Sequence, residues 1–152
     1  MPDHIPPELY RNKRDEDSEF SPEEDLYIRF DVTVGKLVNP DSIRCPNTSV
    51  NRSKYCSNPE YVLLAKYPKY LNWGYGEFKV NSIPEPHQLE GGGYYEFLIR
   101  HEPEEDNYSH SAIKSFKDRN YDKPKNRFSS RHLERYFQTT LSQRIKILKE
   151  PE

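Results

Sequence analysis

The chain is poor in the residues that cross-link small domains: two of its 152 residues are cysteine, one is methionine and five are histidine. Cys45 and Cys56 stand in a Pro/Asn/Ser-rich stretch. The N-terminus MPDHIPPELY has neither the basic start nor the apolar run of an export signal, so free thiols are expected rather than a disulfide. No His-x-x-x-His or Cys-x-x-Cys spacing occurs, and neither a metal site nor a cofactor is expected. No stretch approaches the ~20 apolar residues that span a bilayer. The expected setting is the cytoplasm, with no membrane partner. Nucleotide and hydrolase motifs are missing too: Gly91-Gly92-Gly93 is not followed by a phosphate-loop lysine, and there is no G-x-S-x-G and no H-E-x-x-H. The triple glycine therefore reads as a flexible hairpin connection.

Hydrophobic residues are scarce as well, at 33% against 32% charged, and 13 residues are proline. A chain of this size carries one core, and that composition makes the core thin and the loops extensive. What the chain does have is aromatic rings, 12 Tyr, 7 Phe and one Trp, which bury large area while keeping a polar edge wet. Its charge is polarised. Residues 1–25 hold nine acids against Arg11, Lys13 and Arg14, whereas residues 110–152 hold eleven Lys/Arg against five acids. The basic end can attract phosphate or the chain's own acidic end.

Residues 1–25 lack apolar periodicity and read as an acidic tail, with a single α+β domain over 26–149. Leu26, Ile28 and Phe30 alternate with Tyr27 and Arg29 as a half-buried strand requires. Ser42 to Tyr55 shows no period and reads as loop with short strand pieces near Ile43 and Val50. Ser57 or Asn58, Pro59, Glu60 and an apolar stripe from Tyr61 to Ala65 predict a helix over 58–66. A strand around Phe78–Ile83 and a clear one over 94–101 are expected to pair as a long-looped hairpin. Residues 108–116 read as strand and 118–126 as polar linker. Ser129 or Ser130 caps a helix over 130–141 carrying Leu133, Tyr136, Phe137 and Leu141, and 144–148 closes the chain as a short strand. The expected fold is a small, mostly antiparallel sheet of five or six strands with two helices packed on it.

Four groups have chemistry to offer. Arg29 faces away from Leu26, Ile28 and Phe30; where that face lines a cleft, its planar fork suits phosphate or carboxylate. In Ser49-Val50-Asn51-Arg52, polar residues flank one apolar anchor, consistent with a self-bonded loop or with Ser49 and Arg52 contacting a ligand. His101 and His110 flank the turn 102–109. Two imidazoles meeting at the base of a hairpin, with an arginine, suffice for metal-independent RNA cleavage: one takes the 2′-hydroxyl proton, the other protonates the leaving 5′-oxygen, and the cation stabilises the phosphorane. Tyr67, Tyr70, Trp73 and Tyr75 crowd a Gly-containing stretch, as at a protein interface or around a core anchor.

Leu26-Tyr27-x-Arg29, Ser49-Val50-x-Arg52, Pro59-Glu60, Trp73-Gly74 and His110-x-x-Ile113 together resemble a widespread family of small uncharacterised bacterial proteins, over roughly residues 24–117. The resemblance implies a place beside phage-defence or toxin genes and assigns no catalytic residue; Ser111 stands where that family often has a further histidine. Leu-Tyr-x-Arg also resembles the opening of ADP-ribosyltransferases, with Thr48-Ser49 and Glu96 the counterparts of their later motifs. The expected function is a small bacterial defence- or toxin-like protein acting on RNA, a nucleotide or another phosphate-bearing ligand, a metal-independent RNase in its enzymatic form. The competing expectation is a non-catalytic subunit that docks a partner protein.

Overall fold

The alternation over Leu26–Phe30 forms the middle of a sheet in the computed structural model, which describes residues 18–128 and 130–152. Strands β1 (Asp25–Phe30), β4 (Thr48–Arg52), β5 (Gly74–Lys79), β6 (His87–Gln88), β7 (Tyr94–His101), β8 (His110–Lys117) and β9 (Lys146–Lys149) form one antiparallel sheet in the order β6-β7-β8-β4-β1-β5-β9. Two short strands, β2 (Thr33–Val34) and β3 (Leu37–Val38), pair separately as a ribbon. The fold is thus a sheet-rich, antiparallel α+β arrangement with more strands than the expected five or six.

The pairing of Leu26 with Arg52 and of Tyr27 with Asn51 assigns every residue of the central strands to a face. Successive side chains alternate across a strand. Leu26, Ile28, Phe30, Val50 and Ile113 fall on one face, where with Phe78 and Phe97 they form the main core. Helix α1 (Arg131–Ser142) covers that face. The Ser130 hydroxyl accepts from the backbone N–H of His132 and Leu133 at 3.1 and 3.3 Å, an N-cap. Leu133, Phe137 and Leu141, one turn apart, are the buried stripe.

The second expected helix differs in form and place. Asn58 Oδ1 accepts from the Tyr61 N–H at 3.2 Å, but the segment winds as a single π-helical turn, Tyr61–Ala65, before Pro68. It lies on the opposite face from α1, where Cys56, Val62, Leu63 and Leu64 pack with Tyr27, Tyr70, Trp73 and Tyr75 as a second small core. The two helical segments therefore sandwich the sheet instead of sharing one side.

Other expectations are corrected by the pairing. Residues 94–101 pair with β8 and β6, while the strand expected at 78–83 lies at 74–79 between β1 and β9. No hairpin joins them. The short strand piece expected near Val50 is a full strand, Thr48–Arg52, between β1 and β8, with Thr48, Asn51 and Arg52 all buried. Ile43 is buried against the core without being in a strand. Of the expected tail, residues 1–17 lie outside the described residues, whereas Phe20 packs on the core and Glu24 is engaged.

That engagement is with Arg52. Its guanidinium, 0% exposed, lies 2.5 and 2.9 Å from the two Glu24 carboxylate oxygens, donates to the Glu19 carbonyl at 2.8 Å, and sits 3.9 Å from the centroid of the Phe20 ring. Removing one partner of a buried ion pair strands the other without solvent. Arg52→Ala should therefore cost about 3–5 kcal/mol of stability, read as a lowered urea midpoint at unchanged slope. A loss below about 1 kcal/mol, the range of surface pairs, would mean that this contact does not hold the N-terminal segment.

At the other edge, β9 approaches β5 closely. A Cβ at Gly76 would stand 2.5 Å from the Lys146 carbonyl oxygen and 2.6 Å from Ile145 Cγ2. Gly76→Ala should detach β9, so that amide exchange of Lys146–Lys149 accelerates well before that of β1. Unchanged protection of β9 would show that the edge accommodates the methyl group.

Candidate functional site

On the face bearing the π-helical turn, the registers Tyr27↔Asn51, Asn51↔His110 and Ser49↔Ala112 align Arg29, Ser49 and His110 across three adjacent strands. They line one cleft, walled by Tyr67, Tyr70 and the turn residues Glu104 and Asn107. An adjoining hollow runs from Arg29 and Ser49 to Arg44 and Trp73. Their volumes, about 180 and 120 Å³, are small against the several hundred Å³ typical of a ligand pocket, so they admit a phosphate-sized group and the edge of something larger. A larger hollow of about 650 Å³ opens between Leu89–Gly92 and the start of α1. Among the described residues its lining holds no lysine or arginine, and its histidines, His87 and His132, pack on each other, His87 also stacking on Tyr136.

Arg29 is half-buried. Its guanidinium carbon lies 4.2 Å from the Tyr70 ring centroid and 5.5 Å from that of Tyr67. Each such contact contributes about 0.5–2 kcal/mol, yet consumes none of the five N–H donors. Among the described residues no carboxylate lies within ion-pair distance of it. Burial pushes the guanidinium below its ordinary range, offset in part by Tyr70, Tyr67 and the more distant Glu104. Arg29 is a cation held in place by ring faces, with its hydrogen-bonding edge uncommitted.

Ser49 and His110 are joined. Ser49 Oγ lies 2.8 Å from His110 Nε2, and His110 Nδ1 lies 2.7 Å from the Glu102 backbone oxygen. A carbonyl only accepts, so Nδ1 carries the proton, and the neutral ring offers Nε2 as acceptor to the Ser49 hydroxyl. The Glu102 carbonyl is itself positioned: Glu102 N–H donates to the His110 carbonyl at 3.0 Å, and Lys114 pairs with its carboxylate at 3.0 Å. Lys66 pairs with Asp106 at 2.7 Å and ties the turn to the π-helical segment across the cleft.

Beside the cleft lies a buried amide and hydroxyl cluster that sequence reasoning missed. Asn107 Nδ2 donates to Asn51 Oδ1 at 2.8 Å, and the Ser109 hydroxyl stands 2.5 Å from Asn107 Oδ1 and 3.0 Å from Asn51 Oδ1. All three side chains are within 3% of full burial. Their polar contacts anchor the turn 102–109 to β4 and so fix the Glu102 carbonyl. The sequence signal was present in Asn107-x-Ser109, a pair competent to bond backbone and side chains locally; its long-range partner Asn51 was not visible.

Two expected site residues lie elsewhere. Arg52 pairs with Leu26 and so projects to the core face, opposite Arg29. His101 pairs with Ser111, next to His110 in sequence and therefore on the other face; its Nδ1 is 3.4 Å from Ser111 Oγ and its ring packs on Tyr108 at 4.7 Å. The two imidazoles do not share a site, which removes the two-histidine mechanism of RNA cleavage. The aromatic group is split: Tyr67, Tyr70 and Trp73 form an edge-to-face run with centroids 5.8 and 4.6 Å apart, while Tyr75 meets Tyr27 at 6.2 Å. All four are half-buried, and Tyr70, Trp73 and Tyr75 pack against the second core. Among the described residues no cluster of three or more metal-ligating side chains occurs, and no helix is long and apolar enough to cross a membrane. In comparisons with known proteins, no family model, curated protein or solved structure matches the chain.

The tautomer is open to direct measurement. Long-range ¹H–¹⁵N spectra of the neutral protein should show His110 protonated on Nδ1, and Ser49→Ala should move the Nε2 resonance while leaving Nδ1 nearly in place. Protonation on Nε2 instead would reverse the Ser49 hydrogen bond and remove the base from the cleft.

Proposed function

We propose that this chain binds a phosphate-bearing ligand, RNA or a nucleotide, in the cleft of Arg29, Ser49 and His110. The observation that carries this reading is Arg29, partly buried and, among the described residues, without a carboxylate at ion-pair distance. Taking a cation out of water is costly unless an anion meets it, and a phosphate would satisfy both its charge and its fork of donors. Lys69 and Arg44 add positive charge at the rim, Ser49 supplies a further polar contact, and Tyr70 and Trp73 offer ring surface for a base to stack on. The family resemblance favours a bacterial defence- or toxin-like role in the cytoplasm.

A second reading has its own support. Val34 and Leu37, on the β2–β3 ribbon, and Leu71 are 60%, 46% and 56% exposed, apolar surface of the kind a partner protein covers. In that account the chain is an interaction subunit of a bacterial conflict system and Arg29 meets a partner's carboxylate.

Titration with mononucleotides and short single-stranded RNA, followed by calorimetry and Trp73 fluorescence, separates the two. Arg29→Ala should weaken binding about 10–100-fold, the equivalent of one charge-assisted contact of about 1.5–3 kcal/mol, while lowering the unfolding midpoint only by the loss of its ring contacts with Tyr67 and Tyr70. Binding should also weaken as salt rises. Absence of binding by the folded wild-type chain to all these ligands would leave the interaction subunit as the better account.

A further inference from the structure

The pairing of Ser49 with His110 has consequences beyond holding an anion. Hydrogen-bonded Ser and His side chains on neighbouring strands are often only structural, and such groups are then enclosed, as Asn51 and Ser109 are at 0% exposure. Ser49 is different: it is exposed and lines the cleft. Its hydroxyl faces the basic nitrogen of a ring whose other nitrogen is committed to the Glu102 carbonyl. Nucleophile, base and a third group orienting the base are the three parts of an activated hydroxyl. The carbonyl supplies the orientation that a carboxylate supplies elsewhere, fixing the tautomer without charge.

We propose that Ser49 is the nucleophile of a phosphodiester-cleaving centre, with His110 as its general base and Arg29 as the cation that receives charge on the phosphoryl oxygens. This rests on the reading that the cleft takes phosphate. Ser49 Oγ attacks phosphorus while its proton passes to His110 Nε2. The Oγ–P bond forms, the P–O bond to the leaving alkoxide breaks, and His110 returns the proton to that alkoxide. Water then attacks the phosphoserine diester: His110 takes a proton from the water, the Oγ–P bond breaks, and Oγ is reprotonated. The net reaction is hydrolysis, with no metal or redox partner in the balance.

A phosphoryl centre suits the cleft better than an acyl one. Acyl transfer places one oxyanion against paired neutral N–H donors, whereas the cleft of Ser49 is lined by two cations, Arg29 and Lys69, against one carboxylate, Glu104, a net positive lining matched to the several equatorial oxygens of phosphorus. The flanking rings fit a nucleoside on one side of the scissile group.

An alkyl fluorophosphonate probe tests the nucleophile directly, because attack by Oγ forms the O–P bond and expels fluoride. The full chain should acquire one adduct, mapped to Ser49 by peptide mass spectrometry. Ser49→Ala should acquire none. In His110→Asn the amide Nδ2 can still donate to the Glu102 carbonyl but supplies no base, and labelling should slow by about 10²–10⁴-fold. Thermal melts establish that each variant is folded. No adduct on the folded wild-type chain, or equal labelling rates for wild type and His110→Asn, overturns the proposal. The probe is uncharged at phosphorus, so its reaction does not require recognition of an anion. Nucleotide binding without labelling therefore overturns the nucleophile alone, and labelling without nucleotide binding overturns the phosphate reading and with it the assigned substrate class.

Discussion

A slip of one residue between β1 and β4 would exchange the two faces of the sheet, because side chains alternate with period two. The observed register places Leu26 opposite Arg52 and Tyr27 opposite Asn51. Leu26, Ile28, Phe30 and Val50 are thereby delivered together to α1, and Arg29, Ser49 and His110 together to the other side. The alternative register would put Asn51 among the core's aliphatic side chains and Val50 beside the cleft. Apolar burial on one face thus enforces polar convergence on the other, and the candidate site is a by-product of core formation rather than a separate achievement of its loops.

The two arginines of the central strands show what the register decides. Arg52, on the core face, is matched by a carboxylate, a carbonyl and an aromatic ring, so its cost of desolvation is offset within the molecule. Among the described residues Arg29 has ring faces in contact and no carboxylate at ion-pair distance. The same side chain is a structural staple on one side and an unfinished electrostatic contact on the other. The Glu24–Arg52 pair also explains how residues 19–24, which carry no apolar stripe, are held on the sheet: two oxygens and a ring, Phe20, meet a cation that would otherwise be stranded.

How far this was legible in the sequence follows from the range of the interactions involved. Period-two alternation identified β1 and β7, the lack of strong helix formers other than Ala112 pointed to strand in the region of β8, and a capping serine with a one-turn apolar stripe identified α1; each is a local signal. β4 was legible only as a short piece near Val50, because the rest of its burial is polar: Thr48, Asn51 and Arg52 are enclosed by partners from the N-terminal segment, the loop before the strand and the turn 102–109. No local pattern announces a polar residue as buried. The π-helical turn escaped because its apolar residues, Val62 to Leu64, are consecutive and fit several windings. Arg29, Ser49 and His110 could each be named as chemically able, yet separating them from Arg52 and His101 required a parity that only long-range register supplies.

The same parity decides which of the two histidines faces the cleft. His101 and His110 flank a short turn and look equivalent in sequence. One is set against Tyr108 and Ser111 on the core side, where its surroundings are packed. The other faces the cleft with its Nδ1 tied to Glu102. That tie depends on the turn, the turn on Asn107 and Ser109, and these on Asn51, which neighbours Arg52 in β4. Adjacent residues of one strand therefore support opposite sides of the molecule: Arg52 holds the N-terminal segment over the core, and Asn51 holds the turn that orients the imidazole. A change in the amide cluster would be felt at Ser49 as a change in the direction and identity of its acceptor, with no residue of the cleft itself altered.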